Sequence, residues 1–160
     1  MSKNFLTSFL TLALALALAA GGCDSGAPDS GIQAARDPKD ITVVFVPKIT
    51  GNAFFEAANN GAQAYAARHG FKVEYRGSPE AAAANQIAIV KEAIARKADG
   101  LSISALDAAA LDQVLKEALA AGLKVTTWDS DVSGEARRIM VSQGTPDQLG
   151  RMLVEMGAKS

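Results

Sequence analysis

Polar side chains that could grip a small molecule recur in this 160-residue chain just after short apolar runs. Behind residues 41–46 (ITVVFV) come Lys48, Thr50, Asn52 and the pair Phe54 and Phe55. Behind residues 71–75 come Arg76 and Ser78; behind 101–103, Ser104; behind 123–128, Asp129 and Asp131; behind 138–141, Gln143 and Thr145. The set holds an amine, carboxylates, amides, hydroxyls and an aromatic pair. Such groups hydrogen-bond the hydroxyls of a polyhydroxylated ligand while a ring packs on its C–H face. This is the chemistry of reversible recognition.

Each residue also has a plainer reading. Lys48 could be a solvated loop lysine, and Asp129 could cap a turn. Two acids so close together leave one for structural work, and that role falls to Asp131. Phe54 and Phe55 are neighbours on a helix and point about 100° apart, so one belongs to the core and the other to the cleft. Gln143 could satisfy backbone groups. His69, before Gly70, suits a helix C-terminus.

Catalytic classes fare poorly. The chain has one Cys and one His, which leaves no disulfide framework, Cys–His zinc site or Cys–His nucleophile pair. The segment after the first run, VPKITGNAFF, lacks the G-x-G-x-x-G dinucleotide fingerprint, and no G-x-x-x-x-G-K-[ST] occurs. No Ser–His pair is available at the strand ends. Asp129 and Asp131 have no further obvious metal ligand beside them. Lys plus Arg number 16 against 17 acids, a balance that gives no reason to expect nucleic acid. The expectation is a binding protein: no enzyme, no cofactor, no metal.

The elements that must position these residues alternate. The β-branched run 41–46 reads as a strand buried on both faces of a parallel sheet. Phe55, Ala58, Ala62, Tyr65, Ala66 and His69 fall at helical spacing, with Gly70 as the stop. Strands follow at 71–75, 101–103, 123–128 and 138–141. Between them lie a helix that Ser78 and Pro79 would start, with Ile87, Val90 and Ile94 on one face, and another that Asp107 would cap, with Leu111, Val114, Leu115 and Ala118. Thr145-Pro146-Asp147-Gln148 has the capping-box pattern of a last helix carrying Leu149, Met152, Leu153 and Met156. Strand–helix alternation at this spacing demands right-handed crossovers, hence an α/β Rossmann-like parallel sheet with flanking helices.

The N-terminus has a different composition. Residues 1–22 combine Lys3, an apolar stretch too short for a comfortable bilayer span of roughly 20 residues, and small residues before Cys23, the pattern of a secretory signal peptide. The small residues before Cys23 resemble the lipobox of bacterial lipoproteins, which implies that Cys23 is the lipid anchor. Ala20 stands where that pattern prefers Leu, so cleavage near Ala20 by the ordinary signal peptidase is the other option. Asp24 after the Cys resembles an inner-membrane retention signal. Residues 23–40 have little to bury and read as an anchor and flexible tether.

VPKITGNAFFEAANNGAQAYAARHG, DGLSISA, KVTTWDSDV and QGTPDQLGRMLVEM together resemble the periplasmic sugar-binding proteins of ABC importers, in the branch that binds autoinducer-2 and rhamnose. The resemblance runs from residue 41 to about 158. It implies that Lys48 and Asp129 contact the ligand and that Phe54 and Phe55 line the cleft; Asn52 and Gln143 join them as candidates by their position after the strands. It implies a periplasmic or envelope location, attachment to the membrane only through the lipid, and an inner-membrane permease as partner of the full-length protein. Family members have two lobes joined by a hinge that closes on the ligand. Residues 41–160 correspond to the N-terminal lobe alone, so the chain reads as truncated before the second lobe and is expected to bind ligand weakly or not at all by itself. The alternatives are a sugar-sensing effector domain of a receptor or regulator, a small α/β enzyme, and a partner protein that dimerises through its sheet edge.

Overall fold

The computed structural model describes residues 36–159; the signal, Cys23 and most of the tether lie outside the described residues. Its first strand, β1 (Thr42–Val46), is hydrogen-bonded on one side to β2 (Lys72–Tyr75) and on the other to β3 (Gly100–Ile103). Next come β4 (Lys124–Trp128) and β5 (Ile139–Val141), so five parallel strands run in the order β2-β1-β3-β4-β5. The expected class is the observed one.

Period-two alternation sorts the strand residues between two faces. Val44, Val46, Leu101, Ile103 and Val125 turn to one side, where Val90 and Ala93 of α2 (Ala83–Ala95) and Leu111, Leu115 and Ala118 of α3 (Ala108–Ala120) complete the apolar core. On the other face, Phe45 of β1 stacks on Trp128 of β4, 4.7 Å between ring centres. There α1 (Ala53–His69) brings Phe55 edge-on to the indole. Strand β1 is thus sealed on one side and covered by aromatic rings on the other, with Val43 and Phe45 only part-buried.

Helix ends follow local chemistry. Asn52 caps α1 by accepting from the Phe54 N–H, and Gly70 ends it at φ 77°, the left-handed conformation glycine adopts without strain. Asp107 caps α3 through the Ala110 N–H. Thr145 and Gln148 exchange the two bonds of a capping box at the start of α4 (Pro146–Lys159). No residue of α4 is buried. Where the chain enters the fold, Arg36 pairs with Asp99, whose other oxygen takes the Thr42 N–H at 2.8 Å.

Ser78 does not start a helix. Its hydroxyl accepts from the Glu80 N–H and its carbonyl from the Thr50 N–H, and α2 begins five residues later behind Ala82, which supplies no side-chain cap. Serine's local bonds compete with helix formation, and here they hold residues 77–80 against the loop after β1. Gly77 permits that approach: a Cβ there would stand 2.8 Å from Thr50 Cγ2 and 2.9 Å from Pro47 Cγ.

Candidate ligand site at the carboxyl edge of the sheet

Parallel strands end together, so the residues following β1, β3, β4 and β5 share one edge of the sheet, where open α/β folds bind ligands. Asp129 is the hub. Directly after β4 the backbone turns through φ 60° at Asp129, a left-handed conformation uncommon outside glycine but one that Asp tolerates. Its N–H donates to Val141 O, and its carboxylate collects three partners. Lys48 Nζ lies 3.0 Å from Oδ2, Ser104 Oγ donates to the same oxygen at 2.8 Å, and Gln143 Nε2 donates to Oδ1 at 3.0 Å. Partial burial opposes ionisation, but the bonds from Ser104, Lys48 and Gln143 outweigh it and hold the Asp129 carboxyl below its ordinary value.

The structure therefore gathers Lys48, Asp129 and Gln143 into one cluster, with Ser104, which its position after β3 had marked. Phe54 is 48% exposed, while Phe55 is buried at 7%. The rings meet edge to face at 5.2 Å, and both reach Trp128, so one phenylalanine serves the core and the other fronts the edge. The Asn52 side-chain oxygen is engaged as the cap of α1. His69 lies at the far end of α1, 4.2 Å from the Tyr65 ring, away from the edge.

Two residues along the same loop, the Asp131 carboxylate is already taken up. Arg137 grips it through both oxygens at 2.6 Å and Thr127 Oγ1 donates to it at 2.6 Å. The guanidinium bonds, against a smaller opposing effect of burial, bring its carboxyl to about 2. Val132 and Ala136, between these partners, are buried, so the pair pins a structural loop.

Further residues hold the edge in shape. Glu56 accepts from the Gly51 N–H at 2.9 Å and from Tyr75 Oη at 3.0 Å, which secures the loop carrying Lys48. Burial and that bond push the Tyr75 hydroxyl up to about 12. Gln86, 2% exposed, donates to the carbonyls of Pro47 and Ser104 and accepts from the Leu106 N–H. The sequence reading missed both Glu56 and Gln86. For Gln86 the signal was present: Gln86, Val90 and Ala93 are the buried residues of α2, at spacings of four and three, so an amide sits on the apolar stripe.

A carboxylate offers about four acceptor positions and an ammonium three donors. Asp129 uses three of its positions, which leaves one on Oδ1, and Lys48 spends one donor on Asp129. The edge thus presents an open acceptor beside open donors, with the exposed Phe54 ring nearby. Adjacent oxygens on a carbon skeleton match that arrangement. Among the described residues no group of three or more His, Cys, Asp or Glu is placed to hold a metal ion.

Comparison with known proteins agrees on one family. A model described as a periplasmic binding protein domain matches residues 43–160. The D-ribose/D-allose-binding protein of Pseudomonas aeruginosa is 33% identical over 111 residues, 68% of this chain and 34% of that protein. LsrB from Clostridium saccharobutylicum, solved in complex with AI-2, is 52% identical and superposes with a TM-score of 0.73 over 74% of this chain and 36% of its own. An ABC transporter solute-binding protein from Burkholderia graminis, solved with D-arabinose, is 32% identical with a TM-score of 0.70, covering 78% of this chain and 43% of that one. The chain thus spans between a third and somewhat under half the length of these relatives.

Proposed function

The chain belongs to the periplasmic binding protein domain family, and from that premise we propose that residues 41–160 form one wall of the ligand site of a carbohydrate ABC importer. The ligand is a small sugar or an autoinducer-2-like molecule. The observation that carries this reading is the Lys48–Asp129 pair, with its remaining acceptor and donors open at the sheet edge beside Phe54. A ligand hydroxyl donates to Asp129 Oδ1, neighbouring oxygens accept from Lys48, and the C–H face lies against the Phe54 ring. Asn52 and Gln143 border the same edge, Gln143 by orienting the carboxylate that the ligand meets.

The opposite wall belongs to the part of the relatives that this chain does not span. Contacts from one wall only, without closure around the ligand, give weak affinity, so residues 41–160 taken by themselves are expected to bind weakly. The protein works in the periplasm, attached through a lipid on Cys23, and delivers its ligand to an inner-membrane permease.

Amide chemical shifts of the ¹⁵N-labelled protein, followed while D-ribose, D-arabinose, L-rhamnose or autoinducer-2 is added to millimolar levels, test the site. Shifts confined to Lys48, Phe54, Ser104, Asp129 and Gln143 support the reading. No shifts with any of the four, or shifts at the opposite edge around Asp99, overturn it. Micromolar binding by this chain alone would overturn the two-wall account. For the anchor, palmitate labelling that is lost in Cys23→Ala is expected; labelling that survives the substitution refutes it.

A further inference from the structure

Gln86 belongs to the first turn of α2, on the core side of the sheet, yet its side chain reaches the site edge. The parallel ladder between β1 and β3 ends where the Ser104 N–H donates to Val46 O. Past that bond, the Pro47 and Ser104 carbonyls have no ladder partner. Gln86 Nε2 takes both, at 2.9 and 2.8 Å, and Gln86 Oε1 accepts from the Leu106 N–H at 2.9 Å. Both amide hydrogens are used, and Pro47, Ser104 and Gln86 are all buried.

These bonds close a ring. From Gln86 it runs to Pro47, along the chain to Lys48, across the ion pair to Asp129 Oδ2, back through the Ser104 hydroxyl, and from the Ser104 carbonyl to Gln86. We propose that Gln86 is a positioning residue of the site, setting the separation of Lys48 and Asp129 by fixing the main chains of Pro47 and Ser104 relative to each other. The role of that separation in recognition rests on the carbohydrate reading above; the geometric claim does not. An apolar side chain of the same size would fill the space on α2 but leave two buried carbonyls and the part-buried Leu106 N–H without their partner. The loops would then move to find partners, carrying Lys48 and the Ser104 hydroxyl with them.

Asp131 supplies the control. It lies on the same loop as Asp129, but its partners Arg137 and Thr127 stand outside the ring. Among the described residues the one charged group bonded to Asp129 is Lys48. The experiment follows the side-chain carboxyl ¹³C signals of Asp129 and Asp131 through an acid titration, without ligand, in the unaltered protein and in Gln86→Met. Because the substitution removes buried bonds, it is also made with Ala82→Ser, which supplies α2 with the N-cap it lacks. The expected result is an Asp129 midpoint raised toward the ordinary carboxylate range while that of Asp131 stays in place. An unmoved Asp129 midpoint in a folded variant overturns the proposal. So does an equal rise at both carboxylates, the mark of general loosening, and so does failure to fold in both backgrounds, which would make Gln86 a stability residue.

Sugar-induced amide shifts, measured in parallel, separate this claim from the reading it deepens. If the unaltered protein responds to sugar, Gln86→Met is expected to weaken the response about tenfold, the loss expected from misplacing one hydrogen bond to a charged group. A titration change with no sugar response in any form leaves Gln86 as positioner and removes the carbohydrate reading. A sugar response with no titration change does the reverse.

Discussion

On the α2–α3 side of the sheet, Val44, Val46, Leu101, Ile103, Leu111, Leu115 and Val125 are fully buried, all apolar, and in contact with one another. On the α1 side aromatic rings mix with polar and aliphatic side chains, and several of them are much less covered. Phe54 is half exposed, and Ile139 and Val141 of β5 stand 59% and 61% exposed. The closed face holds the strands in place, and the open face, with the edge above it, is free to meet another molecule. Gln86 is the point where the first face reaches across to the second.

Substitutions should separate the two faces. The largest loss of stability is expected from Leu115→Ala on the closed face, about 2–5 kcal/mol in chemical denaturation. The pattern of sugar-induced shifts should survive it while the protein stays folded. A loss below 1 kcal/mol would show that the closed face is not the stabilising one.

Next comes Arg137→Ala, at the structural carboxylate. Asp131 lies at about 2 when folded, against an ordinary 3.8, so its bond stabilises the fold above that ordinary value and ceases to do so as the pH falls toward 2. Both partners are partly exposed, with 23% and 33% of their side-chain surface in solvent, so screening keeps the loss in this variant modest. Unfolding curves at neutral pH should show that loss, and the variant's stability should fall less steeply between pH 4 and 2. An unchanged acid limb would mean that Asp131 owes its low value to something else.

Phe54→Ala sharpens the contrast from the other side. Its ring is already half in water, so the expected cost in stability is below about 1 kcal/mol, while sugar-induced shifts at Lys48 and Asp129 should be lost. Smallest is Ile139→Ser on exposed β5, expected within about 0.5 kcal/mol of the unaltered protein in thermal unfolding.

Much of this was legible in the residues themselves. Strands with runs of β-branched residues, glycine stops and the Thr145 and Asp107 caps announce themselves locally, so the order of elements and the parallel class follow from short stretches of chain. Lys48, Asp129 and Gln143 were marked by one rule, that residues just past parallel strands share an edge. Ser78 misled because a serine followed by proline suits a helix start and a loop bend alike, and packing against Pro47 and Thr50 decides between them. Gln86 and Glu56 were hidden for a similar reason. Their partners are backbone groups and a tyrosine 5 to 39 residues away, which spacing along the chain does not reveal.

Trp128 is the only tryptophan in the 160 residues and lies next to Asp129 in sequence. Its indole is 9% exposed, stacked on Phe45 and touched by Phe54 and Phe55, and its Nε1 is buried without a hydrogen-bond partner among the described residues. A fluorophore in such apolar surroundings emits toward the blue, and every photon excited in the indole band comes from this one corner of the fold. The protein therefore carries its own unlabelled gauge: a spectral shift on adding a solute reports the site, and a shift on heating reports the face that holds it.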